Sequence, residues 1–145
     1  MNGCWRKWRQ EMDKARRYLG LARRAGLLVT GEESCGDTVA AGKAKLLLLA
    51  SDASPNAAKR ARSFLAGHRA PLETLPWEKE SLSALLGKRG CSMLCFTDLP
   101  LAARFASAMA EELPQWADTA ALLSRREDKA ARRKAAPRKH ERGGT

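Results

Sequence analysis

The chain has little of what marks an enzyme or a metalloprotein. Its 145 residues include four cysteines and two histidines. Cys4, Cys35, Cys91 and Cys95 form no C-x-x-C pair, and His68 is the one histidine within the stretch that reads as folded, so a zinc site is not expected. There is no G-x-S-x-G nucleophile elbow, no Walker lysine loop and no G-x-G-x-x-G dinucleotide turn. Aromatic residues make up 6% of the chain. With Leu and Ala supplying most of the apolar content, that favours helices packed on a small sheet over an all-β sandwich. No apolar run approaches the roughly 20 residues of a membrane span. The opening MNGCWRKWRQ carries charge with no apolar segment behind it, so no secretory signal is expected, and the default location is cytoplasmic. Neither a cofactor nor a membrane partner is expected.

What the chain does have is positive charge, unevenly placed. The net charge is +11. Residues 1–26 carry eight lysines and arginines against two acids, and residues 125–145 carry nine against three. Residues 27–124 are nearly neutral, with ten against eleven. Two basic ends point to a polyanion, since each neutralised phosphate releases counterions. Residues 125–145 lack large apolar side chains and read as a solvated helix fading into a disordered tail, which either binds RNA or only solubilises. At the other end, Tyr18, Leu19, Leu21 and Ala22 recur at helical spacing and leave Arg16, Arg17, Arg23 and Arg24 mostly outside. Trp5 and Trp8 pack as a pair over a core edge or stack on bases, the first being the commoner use.

Periodicity and turn residues divide the rest. A helix is expected from about Gln10 to Ala25, ended by Gly26, then a strand at Leu27–Val29. Gly31 to Ala41 reads as a helix, with Cys35, Thr38, Val39 and Gly42 on one face. Leu46–Ala50 has no polar alternation and reads as a strand buried on both sides. Pro55 starts a helix to about Ala66, with Lys59, Arg60 and Arg62 on its wet side. Strand Leu72–Leu75, helix Lys79–Leu86, strand Ser92–Thr97 and helix Leu99–Leu113 follow. Gln115–Ser124 is expected as a short apolar helix packing back on the body. Alternating strands and helices give an α/β fold, a three-layer α/β/α sandwich with a small, mostly parallel four-stranded sheet. The expected organisation is a basic helical extension over 1–14, a domain over 15–113, and a short helix with a basic tail over 114–145.

Candidate chemistry is sparse. Cys91, Met93 and Cys95 alternate as one strand face would, which suits buried thiols, with a C-x3-C redox pair as the alternative. Asp52 and Asp98 each follow a strand, where α/β enzymes place acids, but SDASP and TDLP read better as caps of the next helix. The stronger candidate is Thr30-Gly31-Glu32-Glu33-Ser34. Gly31 allows close backbone approach, and the first-turn amides can bond phosphate oxygens or base edges. Glu33 could accept from the N–H edge of an extruded guanine, and Ser34 could contact a base or a phosphate. The plainer reading is that Glu32 and Glu33 only complement the helix dipole. Two carboxylates would repel phosphate, so RNA binding here must read base edges as well as backbone.

These residues resemble a known family. Gly20-Leu21-Ala22-Arg23-Arg24-Ala25-Gly26, Thr30-Gly31-Glu32-Glu33, Gly42-Lys43-Ala44-Lys45-Leu46 and Ala50-Ser51-Asp52-Ala53-Ser54 are similar in order and spacing to the kink-turn RNA-binding ribosomal protein family. That family includes archaeal L-seven-Ae and eukaryotic L-thirty-e, and the small bacterial YlxQ-type members are most alike. Lys79-Glu80-Ser81-Leu82, Leu86-Gly87-Lys88 and Cys95-Phe96-Thr97-Asp98 fit as well, so the resemblance covers about residues 15–110. It implies the α/β/α sandwich, and a non-catalytic protein that grips structured RNA with the turn Gly31–Ser34 and the loop of about Lys88–Ser92. The backbone amides of Gly31, Glu32, Glu33 and Ser34 and the side chains of Glu33 and Ser34 would contact bases, Asp37 belongs to the same RNA-binding set, and Lys43, Lys45, Lys88 and Arg89 would engage phosphate. The implied partner is ribosomal or other structured RNA, with the ribosome itself a candidate and the protein a monomer. The chain departs from the family's Gly-x-Asn-Glu followed by Lys: Glu33 replaces Asn, Ser34 replaces Glu and Asp37 replaces Lys. The departures touch recognition, not fold. The alternative function is a protein-interaction module on the same fold that has lost kink-turn specificity.

Overall fold

The computed structural model describes residues 2–87 and 92–135, with side chains over 13–87 and 92–134. In chain order the elements are α1 (Asn2–Arg24), β1 (Leu28–Thr30), α2 (Glu32–Ala40), β2 (Leu46–Leu49), α3 (Pro55–Leu65), β3 (Leu72–Thr74), α4 (Lys79–Leu86), β4 (Met93–Phe96), α5 (Leu99–Glu112) and α6 (Ala117–Ala135). A short 3-10 turn, Pro114–Trp116, joins the last two helices. Helix α1 starts well before Gln10, and α6 runs past Ser124 to Ala135. Trp5, Trp8, Lys88, Arg89, Cys91 and the end of the basic tail lie outside the described residues or side chains.

The sheet corrects the expected topology: it is mixed rather than mostly parallel. Its order is β1-β4-β2-β3, and β2–β3 is the parallel pair. Strand β4 lies antiparallel between β1 and β2, with Leu94 opposite both Thr30 and Leu48. The cause is the segment before β4. Helix α4 has eight residues, about 12 Å of rise. Its start is tied to the edge where β3 ends, through the Lys79 amide on Asp52, and β4 begins at that same edge. The sequence hides this because β2 and β4 are buried along their whole length. The alternation that would mark an antiparallel strand is absent.

Successive side chains of β2 and β4 feed two cores. Leu46, Leu48, Leu94 and Phe96 meet Ala15, Leu19 and Ala22 of α1, Leu82 and Leu86 of α4, and α5 and α6. Leu47, Leu49, Met93 and Cys95 meet Cys35 of α2 and Ala61 of α3 on the opposite face. Helix α5 is alanine-rich where it is buried, at Ala102, Ala103, Ala106 and Ala108, which lets α1 and α6 come close. The alanines leave room for three aromatic rings. Phe96 and Phe105 have centroids 5.1 Å apart, and Trp116 meets Phe105 edge-on at 5.7 Å. Such pairs add about 0.5–1.5 kcal/mol beyond area burial. Trp116, Ala120 and Leu123 thus fasten α6 to the main core.

Caps set the helix starts. Ser54 accepts from the Ala57 amide at 3.1 Å, and Asp98 accepts from the Leu101 amide at 3.0 Å. The expectation held for Asp98 but not for Asp52. The Asp52 carboxylate accepts from the Lys79 amide at 2.9 Å, at the start of α4, not of the following helix α3. Because β2 and β3 run parallel, the turns leaving both strands sit side by side. That proximity, across 27 residues of sequence, redirects the cap.

Trp116→Ala should destabilise the fold by about 3–5 kcal/mol, the usual cost of emptying a buried aromatic site. Chemical denaturation measures this, and a loss below about 1 kcal/mol would mean that α6 is not fastened as described.

Candidate functional site

The candidate turn lies at the edge of the sheet where β1, β2 and β3 end and β4 begins. The Gly31 amide donates to the Met93 carbonyl at 2.9 Å, and the Ala50 amide donates to the Ser92 carbonyl at 2.9 Å. The Ser51 amide donates to the Trp77 carbonyl at 2.9 Å. Three chain turns, 30–34, 50–54 and 75–79, are thereby tied to one edge together with Ser92. Gly31 has φ 98° and ψ 146°, a conformation open to glycine and strained for any residue with a Cβ. It delivers the chain from β1 straight into α2. No side chain caps that helix start, so its first-turn amides point outward at the edge.

The acids beside this turn are unequal. Glu32 is bridged by Arg60 of α3 at 3.2 Å, and Glu33 is exposed. One carboxylate is therefore neutralised locally, and the repulsion expected of two acids falls mainly to Glu33, with Asp37 a turn further on. The Ser34 carbonyl accepts from the Thr38 hydroxyl at 2.8 Å, so that residue's backbone is engaged while its side chain is exposed.

Helices α2 and α3 enclose an open groove that the Glu32–Arg60 bridge divides. One part, about 630 Å³, is lined by Glu33, Gly36, Asp37 and Phe64 as well as the bridge. The other, about 530 Å³, is lined by Ser54, Asn56, Lys59 and Ser63 beside the same pair. The groove depends on Gly36, because a Cβ there would lie 2.9 Å from the Phe64 ring. Sequence reasoning placed Lys59 and Arg60 on a wet helix face but not beside the turn, and it missed Gly36 and Phe64. A glycine inside a nine-residue helix was the available signal.

The predicted residues do not all meet. Gly31, Glu32, Glu33, Ser34 and Asp37 share the α2 side of the groove and turn. Lys43 and Lys45 do not join them: the Lys45 amide donates to the Phe96 carbonyl at 2.7 Å, at the opposite end of β4. The described cations that lie beside the turn are instead Lys59 and Arg60. Lys88 and Arg89 lie outside the described residues.

Two cysteines have described side chains, and both are structural. Cys35 and Cys95 are buried in the core under α2 and α3. Burial pushes the Cys95 thiol up to about 12 and raises that of Cys35 well above the usual thiol range. Protonated thiols of this kind are poor nucleophiles and poor metal ligands. Among the described residues no three His, Cys, Asp or Glu side chains gather as a metal site would need, and no helix is long and apolar enough to cross a membrane.

No protein-family model matches the chain. It is 37% identical over 75 residues to the RNA-binding protein YlxQ of Enterococcus faecium, a match that spans 52% of this chain and 72% of that relative. Among solved structures, a protein with unknown function from Bacillus halodurans C superposes with a TM-score of 0.61 at 27% identity. That match covers 66% of this chain and 95% of the other.

The meeting of Gly36 and Phe64 has a measurable signature. Gly36→Ala should fail to deliver the gain of about 1 kcal/mol that alanine gives inside a helix. In a Phe64→Ala background it should deliver it. A double-mutant cycle by denaturant unfolding would then show a coupling of about 1 kcal/mol, and independent effects would refute the close approach.

Proposed function

The chain belongs to the family of the RNA-binding protein YlxQ, and on that premise we propose that it binds structured RNA through the sheet edge around Gly31. The observation that carries the reading is the 37% identity to that relative. The geometry supports it in three ways. The Gly31 turn offers uncapped amides beside two further turns tied to the same strand ends. Glu33 is exposed at that edge and can accept from the Watson–Crick donors of a guanine splayed out of its helix. Lys59 lines the groove and can take a backbone phosphate, while Arg60 holds Glu32.

Kink-turn recognition in the family's usual form does not follow, since Glu33, Ser34 and Asp37 occupy the positions of its reading side chains. The shape proposed for the target is instead a folded RNA with an unstacked base facing a single carboxylate. The protein acts by binding, ribosomal-protein-like, with no chemical step. Positive charge on α6 adds affinity without selectivity. Lys129, Arg132 and Arg133 are exposed and share one helical face.

Two substitutions separate reading from steering. Glu33→Ala should reorder the affinities of a panel of folded RNAs by about tenfold for the preferred member, the scale of discrimination that one base-edge interaction provides. Neutralising Lys129, Arg132 and Arg133 together should weaken every RNA alike and flatten the salt dependence by up to roughly 0.9 in log–log slope for each phosphate left unneutralised. Equilibrium titrations at several salt concentrations measure both. An unchanged ranking for Glu33→Ala would exclude the turn as the reading site.

A further inference from the structure

A second concentration of charge lies at the opposite edge of the sheet, away from Gly31. A cavity of about 330 Å³ is lined there by Lys45, His68, Arg69 and Arg126, with Gly42 and Gly67 on its rim. These residues come from three places: the α2–β2 connection, the α3–β3 connection and the middle of α6. Leu123 and Ala120, packed in the core, bring Arg126 to that position. Among the described residues no carboxylate bridges Lys45, Arg69 or Arg126. The Arg126 Nε is buried without a hydrogen-bond partner. Its guanidinium is held below the usual range, first by burial and then by the like charge of Arg69.

Each part of this arrangement is unfavourable as it stands. The buried Nε has lost its hydration with no partner in return, while the rest of the half-buried Arg126 guanidinium still reaches solvent. Arg69 and Arg126 repel each other. A single anion between them would reverse both effects, because guanidinium groups present planar forks that match the tetrahedral oxygens of phosphate, with Lys45 adding a compact charge. A liquid water occupies about 30 Å³, so the cavity has room for a phosphate group and several waters.

We propose that this cavity is a phosphate-binding site, separate from the Gly31 turn, which holds a phosphoryl group between Arg69, Arg126 and Lys45. The phosphoryl group belongs either to an RNA strand or to a free phosphorylated small molecule. The site does not depend on the base-reading role of Glu33, and the two ideas fail separately.

Phosphorus NMR of inorganic phosphate titrated with the full chain, at constant ionic strength in chloride, tests the site. The expected result is saturable binding that weakens by about tenfold or more in Arg126→Gln and in Arg69→Gln, as loss of a charge-assisted fork implies. Circular dichroism shows whether each variant is folded. Lys45→Gln supplies a third, milder variant, with an intermediate loss expected. Absence of saturable binding to the wild type, or equal binding by all three folded variants, would overturn the proposal. Competition then identifies the source. Displacement of phosphate by a short unstructured RNA, lost in Arg126→Gln, assigns the site to a strand. Phosphate binding that RNA does not displace assigns it to a free phosphorylated ligand.

Discussion

Strand β4 is the constraint on which both ends of this molecule depend. It is buried along its length and bonded on both sides, to β1 and to β2. The carbonyls at and just before its first residue accept from Gly31 and Ala50, and the carbonyl of its last residue accepts from Lys45. One short strand therefore holds the candidate turn at one edge and the base of the cationic cavity at the other. A change that shifted β4 would move both, even though neither site includes a β4 side chain.

The two faces of the sheet divide the remaining work. The larger core, under α1, α4, α5 and α6, supplies the aromatic stack and fastens α6. That fastening brings Arg126 to its cavity and turns the basic face of α6 outward. The smaller core, under α2 and α3, holds two inert thiols and a helix pair pressed together at Gly36 and Phe64. This pair carries the groove and the Glu32–Arg60 bridge. The larger apolar core thus stands behind Arg126 and the basic face of α6, and the smaller one behind the Gly31 turn. Elements that bury less apolar surface open more readily.

Local features were legible in the sequence, and those that depend on strand order were not. Gly31 before a helix, Asp98 as a cap, and the two-sided burial of Leu46–Ala50 follow from residue chemistry and short-range pattern. The direction of β4 does not, because a fully apolar strand looks the same either way up. From that one ambiguity came the assignment of a parallel sheet. The partner of Asp52, the separation of Lys45 from the Gly31 turn, and the meeting of Glu32 with Arg60 all rest on interactions between distant segments. Arg126 was read as part of a solvated basic stretch, and only the packing of Leu123 shows that it faces the body. The family resemblance supplied fold and ligand class together. The chain differs from the family pattern at Glu33, Ser34 and Asp37, and ligand identity has to be argued from such residues rather than from the fold.

The strands at the two margins of the sheet, β1 and β3, are three residues each. An open margin is a template on which a second chain can add a strand, and its danger grows with its length and flatness. Here the all-leucine strand β2 is kept inside, and each margin is only three residues long. The brevity of both margins disfavours the joining of one sheet to another.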